Sequence, residues 1–317
     1  MKEILRGIGL RTSSQYLNKK PKGGIKMNIE QVKKVGVLGA GSMGSGIAQL
    51  FAQNGFEVVM RDIKQEFVDR GLKAIDGSLG KLVQKGKMKE DDKAAIMGRI
   101  KGTVEMSDLK DVDFVVEAVI EDLDLKKQVF KELDELTRDE VILTTNTSSL
   151  SITEIAAATK RPDKVVGMHF FNPAPVMKLV EVIKGALTTD ESAQFVRDLA
   201  EKKLGKVTVL VKKDVAGFIV NRLMVPYLME AVKVYDEGIA SIEDIDKAVK
   251  YGLNYPMGPF ELMDFTGIDI SYYVNEVFKR ELPAELKHTT PFSLKQMVRA
   301  GRLGRKTGAG WYDYSKK

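Results

Sequence analysis

From Lys33 onward the chain alternates short apolar runs with longer stretches of helical spacing. "KKVGVLGA" (33–40) reads as a strand that breaks on glycine, and "SGIAQLFAQNG" (45–55) as a helix with Gly55 at its C-terminal end. "EVVMRD" (57–62) predicts a second strand, followed by a long amphipathic stretch from Gln65 to Lys85 whose pattern is interrupted at Gly77 and Gly80. "DDKAAIMGRI" (91–100) adds a helix. "DFVVEAV" (113–119) and "VILTTNT" (141–147) are strands on either side of the charged helix "DLKKQVFKELDEL" (124–136). Strand and helix alternating in this way predict a parallel, doubly wound sheet.

"SITE" (151–154) has the Ser-x-x-Glu form of a capping box and opens another helix. "KVVGMHF" (164–170) and "KLVEVI" (178–183) are strands with "NPAP" between them, and a helix (191–205) and the strand "VTVLVK" (207–212) follow. From about Lys213 the character changes. "AGFIVNRLMVPYLMEAVKVYDEG" (216–238) reads as one long helix and "SIEDIDKAVKYGL" (241–253) as a second, capped by Ser241. More helix runs to Arg299, and no strand pattern occurs in 215–300. The expected fold class is therefore α/β, with a Rossmann-type, mostly parallel sheet over 28–212 and a smaller all-α domain over 213–317. Leu223, Met224, Tyr227, Leu228 and Val232 give that second domain enough apolar surface to predict a homodimer formed through it.

Composition narrows the classes. With 44% hydrophobic and 30% charged residues in 317, the chain is globular and large enough for two domains. No apolar run approaches the ~20 residues of a membrane span, so no membrane partner is expected. The absence of cysteine excludes disulfides and thiolate metal sites, and two distant histidines argue against any metal. The formal charge of +6 would suggest nucleic acid, but residues 1–26 carry seven basic residues against Glu3 alone. The remainder is balanced, so no basic face and no nucleic-acid partner are expected. The leader (1–27) reads as a disordered extension, with an organellar presequence, a tag or an upstream start as alternatives. The location expected is cytoplasmic, or an organellar matrix if the leader is a presequence.

The chemistry begins at Gly39-Ala40-Gly41-Ser42-Met43-Gly44, a G-x-G-x-x-G turn. Alone it is a weak signal in a chain with 28 glycines. Between a strand and a helix it predicts a dinucleotide site. Gly39 permits the turn, Gly41 lets a pyrophosphate approach the backbone, and Gly44 lets the helix pack on the sheet. Asp62 ends the second strand, where a carboxylate binds the ribose hydroxyls of NAD and repels the 2′-phosphate of NADP. Arg61 beside it would pair with that phosphate if its side chain turned that way.

A dinucleotide oxidoreductase acting on an alcohol needs a proton acceptor, and imidazole suits the task. His288 lies in a polar loop, whereas His169 sits inside an apolar strand. Glu181, twelve residues on, is another charge inside a strand and would fix the imidazole tautomer if the two strands pair. Taken singly, His169 could be a hydrogen-bonded core residue and Glu181 a solvent-facing edge residue; together they favour a base and its partner. Ser148 in "TNTSS" follows a strand's carboxyl edge and is suited to donate to a substrate oxygen, with helix capping as its plainer role. Asn221 is an amide one turn into an apolar helix, where it needs a partner.

From about Lys33 to Tyr314 the chain resembles the 3-hydroxyacyl-CoA dehydrogenases, most of all the bacterial 3-hydroxybutyryl-CoA group. The resemblance rests on "GAGSMGSGIAQ", "TNTSSLSIT", "GMHFFNPAPVMKLVEVI", "AGFIVNRL", "PMGPFEL" and "GRLGRKTGAGWYDY". It implies that His169 is the base, Glu181 its partner, and Ser148 and Asn221 the groups that polarise the substrate oxygen. Further NAD contacts would fall on Glu121, Lys126, Ser148, Asn172 and Lys306, and substrate contacts on Ser148, Asn221, and Ser78 and Lys85 for CoA. It also implies a place in butyrate or fatty-acid metabolism. Two rivals stand beside this reading: a related dehydrogenase of a non-CoA hydroxy acid, and a non-catalytic NADH-binding protein. The second has no use for a proton acceptor.

Overall fold

The computed structural model describes residues 28–315, so the expectations for the basic leader lie outside the described residues. Two compact units emerge, one of 28–147 with 151–214 and one of 148–150 with 215–315. No helix among the described residues is long and apolar enough to cross a membrane.

Eight strands form the sheet of the first unit: β1 Lys34–Leu38, β2 Glu57–Arg61, β3 Ile100–Thr103, β4 Phe114–Glu117, β5 Ile142–Thr145, β6 Val165–Phe170, β7 Leu179–Lys184 and β8 Val207–Val211. Their order is β3-β2-β1-β4-β5-β6-β7-β8. The first six are parallel; β7 runs antiparallel to β6, and β8 is parallel to β7. Strand order reverses between β1 and β4, which opens the crevice where such sheets bind ligands. Helices covering both faces leave β4, β5 and β6 buried along their whole length, so these strands are apolar runs without alternation.

β3 has no clear signal in the sequence. "IKGT" is short and carries Lys and Gly; its pairing with β2 makes it a strand. Its Gly102 is needed because a Cβ there would come within 2.5 Å of Val68.

Helix α1 (Ser42–Gln53) follows the glycine turn, and α2 (Gln65–Gln84) runs unbroken through Gly77 and Gly80. Each glycine costs about 1 kcal/mol relative to alanine. The stripe of Val68, Gly71, Ile75 and Leu79, buried at helical spacing, offsets that cost, and the space beside Gly77 is open. Helix α3 is Glu90–Gly98, α4 Leu123–Leu136, α5 Ile152–Ala156 and α6 Asp190–Asp198. Ser151 accepts from the Glu154 N–H at the start of α5, and it also donates to Asp214.

In the second unit, α7 (Val220–Asp236) begins later than the apolar pattern suggests. Gly217 and Phe218 have positive φ (77° and 51°), so a turn occupies the expected first helical turn and Asn221 becomes the second helical residue. Helices α8 (Ile242–Gly252), α9 (Pro259–Thr266), α10 (Ile268–Glu281) and α11 (Phe292–Arg299) complete the unit. Two buried carboxylates tie it together. Asp246 accepts from the Phe260 and Glu261 amides and the Tyr312 hydroxyl (2.9, 3.1 and 2.7 Å). Asp264 accepts from the Trp311 and Tyr312 amides (both 2.9 Å) and the Tyr314 hydroxyl (3.1 Å), fastening the C-terminal segment.

Removing either acceptor strands buried donors. Asp264→Ala is expected to lower the unfolding free energy by about 1–3 kcal/mol, read by urea denaturation. A variant as stable as wild type would show that water replaces the carboxylate. Asp246 adds a pH signature, because burial holds its carboxyl above the usual range despite its three hydrogen bonds. The folded protein keeps a proton there at pH values where the unfolded chain, with a carboxyl pKa of about 3.9, has lost it. The stabilisation is full below that unfolded value and is lost as pH rises through the raised one. Asp246→Asn should therefore show a stability gap from wild type that narrows as pH rises above about 4. Denaturation at stepped pH checks this, and a gap that widens counts against it.

Candidate active site

The glycine turn lies at the carboxyl end of β1. Gly39 has φ of 97° and its N–H donates to the Arg61 carbonyl (2.8 Å). A Cβ at Gly39 would stand 2.4 Å from the Ala118 carbonyl oxygen, and one at Gly44 would stand 1.9 Å from that of Gly39. Around Gly41, by contrast, the space is open. The three glycines thus differ in what each allows: a turn against β4, an open approach to the backbone, and close packing of α1. The start of α1, with Ser42 and Met43 in its first turn, presents amide hydrogens and a positive dipole end.

Asp62 braces this turn. One carboxylate oxygen accepts from the Ala40 N–H (2.7 Å) and the other from the Ile63 N–H (2.7 Å). Beside it a cavity of about 430 Å³ opens between the turn, the start of α2 and the 118–120 segment after β4. Ile63 and Ile120 line it and are exposed there. Arg61 also lines the cavity, but its Nε donates to the Val104 carbonyl (3.2 Å). Arg70 reaches the cavity with its guanidinium over the Phe67 ring. Ile63, Ile120 and Arg70 are lining residues that sequence reasoning missed. They carry no motif, and only the packing of α2 and the 118–120 segment brings them together.

At the far side of the same sheet the antiparallel register of β6 and β7 sets His169 directly opposite Glu181. Paired side chains project to one face, and the histidine Nδ1–H donates to Glu181 Oε2 at 2.7 Å. Glu181 is fully buried and His169 nearly so, with Phe171 against its ring at 4.7 Å. With the proton on Nδ1, the basic lone pair of the ring is on Nε2. His288, in contrast, is half-buried in a loop, and its carbonyl accepts from Asn275.

The loop joining β6 and β7 is fixed from below. Lys206, almost fully buried, donates to the carbonyls of Ala174 and Met177 (2.7 and 2.8 Å), and burial lowers its pKa. Asn172 is exposed at the start of this loop. Asn146 Oδ1 accepts from the Phe170 N–H (2.8 Å), tying the end of β6 to the segment after β5.

The remaining predicted residues fall in several places. Glu121 is exposed after β4 and accepts from the Thr147 hydroxyl (2.5 Å). Lys126, in the first turns of α4, is buried with its ammonium 2.6 Å from Glu117. Ser78 and Lys85 lie two turns apart along α2, with Lys85 as its C-cap. Ser148 (half-buried), Asn221 (buried) and Lys306 belong to the second unit, where Lys306 pairs with Asp269 (2.6 Å).

A cradle that a Cβ would fill, open space at Gly41 and a carboxylate beside an apolar cleft fit a dinucleotide. Comparison with known proteins agrees. The family model "3-hydroxyacyl-CoA dehydrogenase, NAD binding domain" matches residues 34–215, and the C-terminal domain model of the same family matches 217–314. A 3-hydroxybutyryl-CoA dehydrogenase of Clostridioides difficile is 50% identical over 283 residues, 89% of this chain and 100% of that protein. The mitochondrial hydroxyacyl-coenzyme A dehydrogenase of Homo sapiens is 45% identical over 292 residues, 89% of this chain and 91% of that one. The crystal structure of an (S)-3-hydroxybutyryl-CoA dehydrogenase from Ralstonia eutropha superposes with a TM-score of 0.84 at 45% identity, covering 90% of this chain and 100% of that one.

The geometry at Asp62 yields a measurable expectation. Asp62→Ser removes the like charge that a 2′-phosphate would meet. The kcat/KM advantage of NADH over NADPH should narrow by about tenfold or more, equivalent to roughly 1.4 kcal/mol. Initial rates with both cofactors test it, and an unchanged ratio would remove Asp62 from cofactor selection.

Proposed function

The chain belongs to the 3-hydroxyacyl-CoA dehydrogenase family, and from that premise we propose that it interconverts (3S)-3-hydroxybutyryl-CoA and acetoacetyl-CoA. It is an NAD-dependent oxidoreductase. The short-chain assignment draws support from the relatives named 3-hydroxybutyryl-CoA dehydrogenase, at 41–50% identity, in several bacteria. A cytoplasmic location and a role in butyrate or fatty-acid metabolism accompany that assignment.

The observation that carries the reading is the buried His169–Glu181 pair at 2.7 Å. In the direction of oxidation, His169 Nε2 takes the proton of the substrate's 3-hydroxyl. Glu181 holds the ring in the tautomer with Nδ1–H and stabilises the imidazolium that forms. Ser148 and Asn221 donate to the substrate oxygen as it becomes a carbonyl. NAD⁺, when bound, supplies the acceptor for the hydride leaving C3. The glycine turn 39–44 and the α1 N-terminus hold its pyrophosphate, and Asp62 its ribose. Glu121, Lys126, Asn172 and Lys306 contribute further to the cofactor site, and Ser78 and Lys85 receive the CoA moiety. In this reading residues 28–212 bind the dinucleotide, while 213–317 supply substrate contacts and the face of a homodimer. Exposed apolar side chains of that half, including Leu223 (70%) and Tyr251 (84%), support the dimer.

NADH oxidation with acetoacetyl-CoA tests the activity, and free acetoacetate turned over equally well would favour a non-CoA substrate. Sedimentation equilibrium tests the dimer, which a monomer at micromolar concentration would exclude. The base is tested by substitution. His169→Gln is expected to fold and bind NADH near normally, yet to lose kcat by about 10²–10⁴-fold. Glu181→Gln should lose less, because an amide still hydrogen-bonds the ring. Their losses should be far from additive in the double variant, since the two act as one unit. Single-turnover NADH oxidation measures all three. A His169→Gln enzyme within about threefold of wild type, far short of a general base's contribution, would return His169 to the core.

A further inference from the structure

A second buried ion pair in the sheet has no part in the proton transfer. Glu117, the last residue of β4, and Lys126 of α4 lie 2.6 Å apart with side-chain exposures of 0% and 1%. Glu117 uses both carboxylate oxygens. Oε1 accepts from the ammonium and from the Val119 N–H (2.7 Å), and Oε2 accepts from the Thr145 hydroxyl at the end of β5 (2.7 Å). Lys126 also donates to the Val119 carbonyl (3.3 Å) and lies 3.5 Å from Glu121. Glu121 in turn accepts from the Thr147 hydroxyl, and the Thr147 N–H donates to Thr145 Oγ1 (3.2 Å). Thr145, Glu117, Lys126, Glu121 and Thr147 thus close a ring across the carboxyl ends of β4 and β5.

What the ring encloses is the wall of the cofactor cavity. Val119 and Ile120 line that cavity, and the neighbouring Ala118 carbonyl packs against Gly39 so tightly that no Cβ fits between them. The backbone of 118–120 has no regular secondary structure to hold it. Glu117 and Lys126 supply that hold, because Val119 gives its N–H to one and its carbonyl to the other. A buried ion pair is weak support for stability, since its desolvation cost offsets much of its attraction. Such a pair in a dry sheet is better suited to fixing the shape of a neighbouring segment.

We propose that Glu117 and Lys126 are positioning residues that set the 118–120 wall of the dinucleotide site through this closed ring. The proposal rests on the dinucleotide site already assigned at the glycine turn. This hold on the 118–120 backbone is distinct from the cofactor contact proposed for Lys126 above.

Two variants of the full chain test it. Glu117→Gln/Lys126→Met removes both charges together, so no uncompensated charge is left buried. Thr145→Val is nearly isosteric, keeps both charges, and breaks the ring at a residue with no assigned cofactor contact. For each, thermal unfolding, the NADH dissociation constant by fluorescence in the absence of substrate, and the acetoacetyl-CoA KM at saturating NADH are measured. We expect both folded variants to weaken NADH binding, by about tenfold or more for the double and more than about threefold for Thr145→Val, with the acyl-CoA KM little changed. Weakening confined to the double variant would overturn the proposal in favour of direct Lys126 contact. Binding near the wild-type value in both would leave the pair a purely structural one. If the double variant fails to fold, Thr145→Val alone decides. The binding arm needs no acyl substrate, so it reads the ring even if acetoacetyl-CoA proves not to be turned over by the wild type.

Discussion

The register of β6 on β7 is the constraint on which the chemistry depends. A carboxylate with no exposure, such as Glu181, is costly unless something opposite neutralises or hydrogen-bonds it. In an antiparallel pair the residue directly opposite is the one whose side chain shares its face, and here that residue is His169. A slip of one residue would turn one of the two side chains to the other face and set Glu181 opposite Met168 or Phe170. The register is held from outside the pair as well. Asn146 takes the Phe170 amide, and Lys206 takes two carbonyls of the connecting loop. Folding the sheet correctly and bringing His169 against Glu181 are therefore one event.

The parallel half of the sheet solves a different problem, which is to leave backbone accessible. Gly41 has open space around it while Gly39 and Gly44 are packed against carbonyl oxygens. Access at one position thus depends on tight packing at the other two. Asp62 spans from β2 to the turn by accepting from Ala40, so its carboxylate also fixes the loop.

Much of this was legible in the sequence, for reasons that can be named. The strands β1, β2 and β4 to β8 are apolar runs, as strands covered by helices on both faces must be and as the others here also are. The glycine turn was legible because its spacing meets a strand and a helix. His169 and Glu181 were legible because charged or titratable groups inside apolar strands demand partners. The misses are equally physical. β3 is a polar edge segment made into a strand by its neighbour. The start of α7 lies about one turn beyond the start of the apolar pattern, because hydropathy does not report the positive φ of Gly217 and Phe218. The cavity wall of Ile63, Ile120 and Arg70 comes from separate segments, and no local pattern marks it.

The two buried pairs of the sheet show how one kind of interaction serves two ends. Glu117 and Glu181 are both fully buried acids on strands, and each is closed off by a nitrogen at 2.6–2.7 Å. The partner decides the role. A lysine ammonium has three donors and no acceptor, so Lys126 holds Glu117 and the Val119 carbonyl together, which suits a fixed wall. An imidazole has two ring nitrogens, so His169 can bond Glu181 through Nδ1 and engage a second group through Nε2. Exchanging the cations would fail in both places. A lysine opposite Glu181 would have no lone pair to offer a second group, and a histidine at 126 would be too short to reach Glu117 while holding the Val119 carbonyl. The sheet supplies the same dry environment at both positions, and the side chain opposite the acid decides what else the pair can bind.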